Sequence, residues 1–221
     1  MGSSVTETRR RARLAAALLA ALLAACAAPK PLSGPLLLHP VPPTREGYTL
    51  EQGALVYTDP GFTVSARPWD YRLVAAEFSA AGEPSPFGDT EEEAGRFVFL
   101  RVRFENRSPQ NLVFNPMRSW LLGQGRAPLV PLENSDLFML VDDKSGQAEA
   151  RGRAFRRACF DLTATVRPGQ TLERYLVFTA PTEAAKQFSL AIEDLWLGSA
   201  SVDLRFNFEV FPGKEPDAGK R

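Results

Sequence analysis

The chain is predicted to be all-β, an antiparallel β-sandwich with one short amphipathic helix. Three observations point there. Apolar and polar residues alternate with a period of two along several runs, turn-forming residues separate those runs, and a single segment carries a helical period. The chain has 221 residues, enough for one domain of ordinary size. A hydrophobic fraction of 44% that includes 15 Phe is ample to fill a core.

In chain order, the strands expected are Ala54–Tyr57, Phe62–Ala66, Arg72–Ala80, Phe97–Asn106, Leu112–Phe114, Leu137–Val141, Leu172–Phe178, Phe188–Ile192 and Val202–Val210. The last is the clearest. Val202, Leu204, Phe206, Phe208 and Val210 share one face, and Asp203, Arg205, Asn207 and Glu209 share the other. In Phe97–Asn106, Val98, Leu100, Val102 and Phe104 form one face, while Phe97 and Phe99 make the start of the run apolar on both. That end is expected to be covered on both sides. Turns are read at Asp59-Pro60-Gly61, Asn106-Arg107-Ser108-Pro109, Arg167-Pro168-Gly169-Gln170 and Pro181-Thr182-Glu183. The loop Ala81–Gly95, rich in Gly, Pro and acid, is expected to be mobile, and the polar tail 213–221 disordered.

The helical segment is Arg151–Leu162. Phe155, Ala158, Cys159 and Leu162 stand at i, i+3, i+4 and i+7, and Arg153, Arg156 and Arg157 line another side. Those three arginines are candidates for contact with a partner or with anionic headgroups; a solvated helix packed across one end of the sandwich is the plainer reading.

The first 25 residues read as an export address. A basic stretch, Arg9–Arg13, precedes the apolar run Leu14–Ala25. That run has 12 residues, too short to span a bilayer, which takes about 20. It ends in Leu23-Ala24-Ala25-Cys26, which resembles the lipobox of bacterial lipoprotein signal peptides. The resemblance implies cleavage before Cys26 and lipidation of its thiol and freed amine. Stable anchoring takes two or more chains at roughly 0.8 kcal/mol per buried methylene. Ala27, in place of the Asp that retains enterobacterial lipoproteins at the inner membrane, implies the periplasmic face of the outer membrane if the organism is Gram-negative. Residues 1–25 carry a net +3 from Arg9, Arg10, Arg11 and Arg13 against Glu7, so the neutral whole leaves −3 for the remainder. A weakly acidic chain has no electrostatic footprint for nucleic acid.

Residues 26–46 read as the lipidated cysteine and a tether, with six prolines after residue 26 that favour extended polyproline backbone. Leu36-Leu37-Leu38 is the exception: it is expected to pack back on the domain, with capture by a partner as the alternative. The folded domain is then 47–212.

Two segments, FVFLRVRFENRSPQNLVFNP and RPGQTLERYLVFTAPTEAAKQFSLAI, carry a strand–polar turn–strand form and a Pro-Gly turn followed by a strand. Over Phe97–Val210 the chain resembles the small immunoglobulin-like domains of bacterial lipoproteins that have no assigned function. The resemblance implies an extracytoplasmic immunoglobulin-like sandwich with no known enzyme activity. The basic insert around Arg151–Arg157 departs from that pattern.

Catalytic and metal chemistry finds little footing. The one histidine, His39, lies in the tether, so a nucleophile has no imidazole base. Cys159 is the only thiol left once Cys26 is lipidated, and its apolar neighbours point to burial. No Cys or His pair stands at zinc or copper spacing, and Asp142-Asp143-Lys144-Ser145-Gly146 does not match a calcium loop. No cofactor is expected. Trp69, Tyr71, Trp120 and Trp196 are candidates for stacking on a ligand, with Trp69, after Pro68, the most exposed of them. The expectation is a non-catalytic envelope lipoprotein that binds or scaffolds a protein partner at the membrane surface. The alternative is a carbohydrate- or peptidoglycan-binding module that uses exposed aromatics.

Overall fold

A computed structural model describes residues 36–140, 146–181 and 185–212. The signal segment, Cys26, the first part of the tether, Val141 with Asp142-Asp143-Lys144-Ser145, Thr182 and Glu183 of the expected turn, and the tail 213–221 lie outside the described residues.

The strands are β1 (Leu36–Pro40), β2 (Tyr48–Glu51), β3 (Ala54–Thr58), β4 (Phe62–Trp69), β5 (Phe97–Asn106), β6 (Leu112–Phe114), β7 (Ser119–Gly123), β8 (Ala164–Val166), β9 (Thr171–Thr179), β10 (Gln187–Leu197) and β11 (Ala200–Pro212). The helices are α1 (Tyr71–Ala80), α2 (Glu91–Ala94), α3 (Asn134–Leu140) and α4 (Ala148–Ala158). One sheet runs β1-β11-β10-β6-β8, with β7 also paired to β10; the other runs β2-β3-β4-β5-β9. Every ladder between these strands is antiparallel. β7 pairs with Phe188–Ile192 of β10 and β6 with Trp196–Leu197, and between these two segments the β10–β11 register shifts, from Ile192 to Leu195. Asp194 sits in that bulge at φ 53°, and its carboxylate holds Arg118 at 2.6 Å.

The two sheets form a sandwich whose core is made of the alternating inner residues. Val98, Leu100, Val102 and Phe104 of β5 face Leu190 and Ile192 of β10 and Leu204, Phe206 and Phe208 of β11. Phe104, Phe114 and Phe160 close one end as a ring cluster with centroids 4.6 to 5.7 Å apart.

A second core lies on the outer face of the β5–β9 sheet, as the doubly apolar start of β5 implies. Phe97, Phe99, Tyr175 and Val177 are covered there by Val74 and Phe78 of α1, Phe87, Leu137 of α3, and Ala154 and Phe155 of α4. The described chain thus has four helices, not one, and they form a third layer.

Five expectations are corrected. Arg72–Ala80 is not a strand: Asp70 caps the Arg72 N–H at 2.7 Å, and Tyr71, Val74 and Phe78 form the buried stripe of α1. Over Leu137–Leu140 the expected strand is likewise replaced by α3, which buries Leu137 against the second core. The loop 81–95 is built into the fold, because Phe87 is fully buried with its ring 4.8 Å from Phe99 and 6.0 Å from Phe155. The helical period over 151–162 breaks at Ala158, where Cys159 turns extended and Phe160 N–H donates to the Tyr175 carbonyl at 2.9 Å. With Leu132 N–H on the Val177 carbonyl at 2.7 Å, this covers the open edge of β9. Finally, Leu36-Leu37-Leu38 packs back on the domain as expected, but as part of β1 (Leu36–Pro40), an edge strand on β11 with Leu38 buried; the domain boundary at 47 is corrected, since the sheet begins ahead of it and His39 belongs to the sheet rather than to the tether. An edge position suits Pro40, which has no N–H to donate.

Candidate functional site

The three arginines singled out from α4 do not form one free basic patch. Arg153 is paired with Glu149 one turn back at 2.6 Å, and Arg157 is paired with Glu83 of the loop after α1. Arg156 instead meets the Asn134 side chain, whose amide, turned to satisfy its neighbours, accepts from Arg156 at 3.0 Å and donates to the Gly152 carbonyl at 3.2 Å. Arg156 also lines a groove of about 340 Å³ with Asp161, Thr163, Thr165, Leu172 and Arg174. Two of the three charges are therefore already met by carboxylates, and only Arg156 opens on a cavity.

The arginine that matters most for the layer is Arg151, on the buried side of α4. It donates to the Ser85 carbonyl at 2.7 Å and pairs with Asp89 at 2.5 Å, which ties the loop 81–95 to the helix. Its spacing carried the signal: Arg151 stands four residues before Phe155, on the apolar stripe.

Trp69 is half-buried rather than the most exposed aromatic; Trp196, at 43%, is more open, and Tyr71 is buried. The Trp69 ring already carries two guanidinium groups, Arg67 at 5.2 Å and Arg101 at 4.9 Å from its centroid. Arg101 stands between Arg67 and Tyr175 across the sheet and binds Glu77 at 2.6 Å and Glu173 at 2.8 Å. The Tyr175 hydroxyl donates to Glu77 at 2.5 Å; burial first, and the Glu77 carboxylate next, push this phenol well above its ordinary value. The cluster fastens α1 to the sheet, and a ring so engaged has little face left for a ligand.

Cys159 is buried, and burial pushes its thiol well above the usual range, with Asp161 adding to the rise and Arg174 opposing it. Among the described residues no group of three His, Cys, Asp or Glu side chains gathers to hold a metal ion. No helix of the described residues is long and apolar enough to cross a membrane.

One apolar feature was not legible in the sequence. Beside the end of β9, a groove of about 350 Å³ is lined by Leu129, Val130, Leu132, Met139, Leu140 and Thr179. Val130 is 50% exposed and Met139 79%. Residues 137–141 read as a strand, which turned Met139 inward or outward by parity; α3 turns it outward.

No protein-family model matches the chain, and no curated protein matches it. Among solved structures it is similar to the crystal structure of the yjhA protein from Bacillus subtilis, at 9% identity and a TM-score of 0.39. That likeness covers 68% of this chain and 93% of the other.

Proposed function

We propose that the chain is a lipid-anchored envelope protein whose immunoglobulin-like β-sandwich holds a protein partner at the membrane surface, on the periplasmic side of the outer membrane. The anchor rests on Arg9–Arg13, the short apolar run and Leu23-Ala24-Ala25-Cys26. The proline-rich stretch before β1 then serves as the spacer between lipid and sandwich. The role assigned is binding rather than turnover.

The observation that carries the partner is the apolar groove at Val130, Met139 and Leu140. Scattered surface apolar groups need no explanation, but neighbouring ones around a groove mark an interaction site. Its one charged lining residue, Asp136, spends its carboxylate on the Glu133 N–H at 2.8 Å. The groove therefore asks for apolar side chains, and the flexible thioether of Met139 adapts to them.

A photo-crosslinking residue at Met139 in the membrane-bound chain is expected to give one discrete protein adduct, removed by Val130→Glu, while the same residue at Thr63 gives none. Absence of an adduct sensitive to Val130→Glu overturns the partner reading. Cys26→Ser is expected to leave the membrane fraction with its sandwich folded; a membrane-bound Cys26→Ser protein would count against the anchor.

A further inference from the structure

A second groove, on the outer face of the β10–β11 sheet, has a different chemistry. Alternation sends Trp120 and Leu122 of β7 outward, with Gln187, Ser189 and Ala191 of β10 and Arg205, Asn207 and Glu209 of β11. The ladders align them in rows: Trp120, Ala191 and Arg205 in one, Leu122, Ser189 and Asn207 in the next. Between these strands lies a groove of about 360 Å³ lined by Leu122, Gln124, Gln187, Ser189, Arg205 and Asn207. The chain beyond β1 closes its side, where Val41 N–H donates to the Asn207 carbonyl at 2.9 Å. Gly123 forms part of the wall, and any Cβ there would stand 2.8 Å from the Phe188 ring.

The lining is a set of donors and acceptors on a rigid sheet. Three carboxamides each offer both functions, Arg205 offers donors, and the buried Ser189 Oγ has no hydrogen-bond partner within the protein. Arg205 makes no ion pair among the described residues. Of the nearby acids, Asp203 accepts from the Asp194 N–H at 3.0 Å, and Glu209 shares the outward face opposite His39 and Gln187 but does not line the groove. Trp120, one row along, is held by Arg118 at 5.3 Å, which is itself fixed on Asp194. One lone cation is too little for a phosphate backbone, and the polar lining is wrong for an apolar side chain.

We infer that this face binds a saccharide chain. Sugar hydroxyls are donors and acceptors at once and pair with carboxamides in both senses, while the C–H face of a pyranose fits the apolar side chain of Leu122. The site shares no lining residue with the apolar groove and is independent of the partner reading.

The test is calorimetry on the full chain in detergent with an N-acetylglucosamine tetramer and, separately, cellotetraose. Saturable binding of at least one is expected, with a shift in tryptophan emission. Asn207→Ala and Gln187→Ala should each weaken it about tenfold, on the order of one lost hydrogen bond. Both positions are exposed, so the variants should keep the native circular dichroism. Val130→Glu should leave saccharide binding unchanged while removing the protein adduct formed at position 139, which separates the two readings. Binding of neither tetrasaccharide, or equal binding by the Asn207 and Gln187 variants, overturns the inference.

Discussion

Asn106 Nδ2 donates to the Val166 carbonyl at 2.8 Å, joining the end of β5 in one sheet to β8 in the other. The same amide donates to the Gln110 carbonyl at 2.7 Å, and its oxygen accepts from the Ser108 N–H at 3.0 Å and hydroxyl at 2.8 Å. The side chain is fully buried and uses both halves of its carboxamide. Asn106→Asp puts an acceptor where two carbonyls need a donor. It should cost about 2–4 kcal/mol in urea unfolding at neutral pH. A midpoint unchanged from wild type would contradict this role.

Phe87 anchors an otherwise polar loop in the second core. Phe87→Ala should cost about 3–4 kcal/mol by removing a buried ring. It should also raise amide exchange across 81–95 well ahead of β5. Exchange confined to global unfolding in the variant would show that the loop is held by other contacts.

Arg151 and Asp89 make an asymmetric pair, the first side chain 5% exposed and the second 67%. A double-mutant cycle with Arg151→Ala and Asp89→Ala should therefore give a small coupling, about 0.5–1 kcal/mol, that falls with added salt. Arg151→Ala alone should cost more, about 2–3 kcal/mol, since it also leaves the Ser85 carbonyl without its donor. Coupling as large as the single-variant loss would mean that the ion pair, not the packing, holds the loop.

The buried Cys159 thiol is raised above its value of 9.0 in an open chain. The folded state therefore favours the neutral thiol. Its contribution to stability is whole below about pH 9 and is lost as pH rises through the folded value. Tyr175 acts in the same direction above the phenol value of 10.0. Unfolding free energy should fall on the alkaline side, and less steeply in Cys159→Ala. Labelling of native Cys159 by a thiol reagent should be slow and should follow opening of the layer. Rapid labelling without denaturant would show the thiol to be accessible.

Much of the sandwich was legible because its signal is local. Phe97–Asn106 and Val202–Val210 alternate residue by residue, and an inner and an outer face follow from that alone. Asn106-Arg107-Ser108-Pro109 read as a turn for the same reason, although the reach of Asn106 to Val166, 60 residues on, did not. The helical layer was less legible. In Tyr71–Ala80 the cap Asp70 and the stripe at 71, 74 and 78 were present, but Leu73 and Val74 beside two alanines also fit a strand. Burial of Phe87 and Phe155 on the far side of β5 decided for the helix.

The surface features divide in the same way. Residues a few positions apart were enough for the period-two faces of β5 and β11, the turn at Asn106-Arg107-Ser108-Pro109, and the basic or apolar character of each segment. Tertiary structure alone decided which charges were spent. Arg157 meets Glu83 from 74 residues away, and Trp69 is closed by arginines on two strands. It also decided where Met139 and the row of Leu122, Ser189 and Asn207 open on water. The reason is physical: the compensation of a charge and the exposure of a face are set by what packs across from them, and that neighbour is fixed only when the distant strands and helices close the two cores.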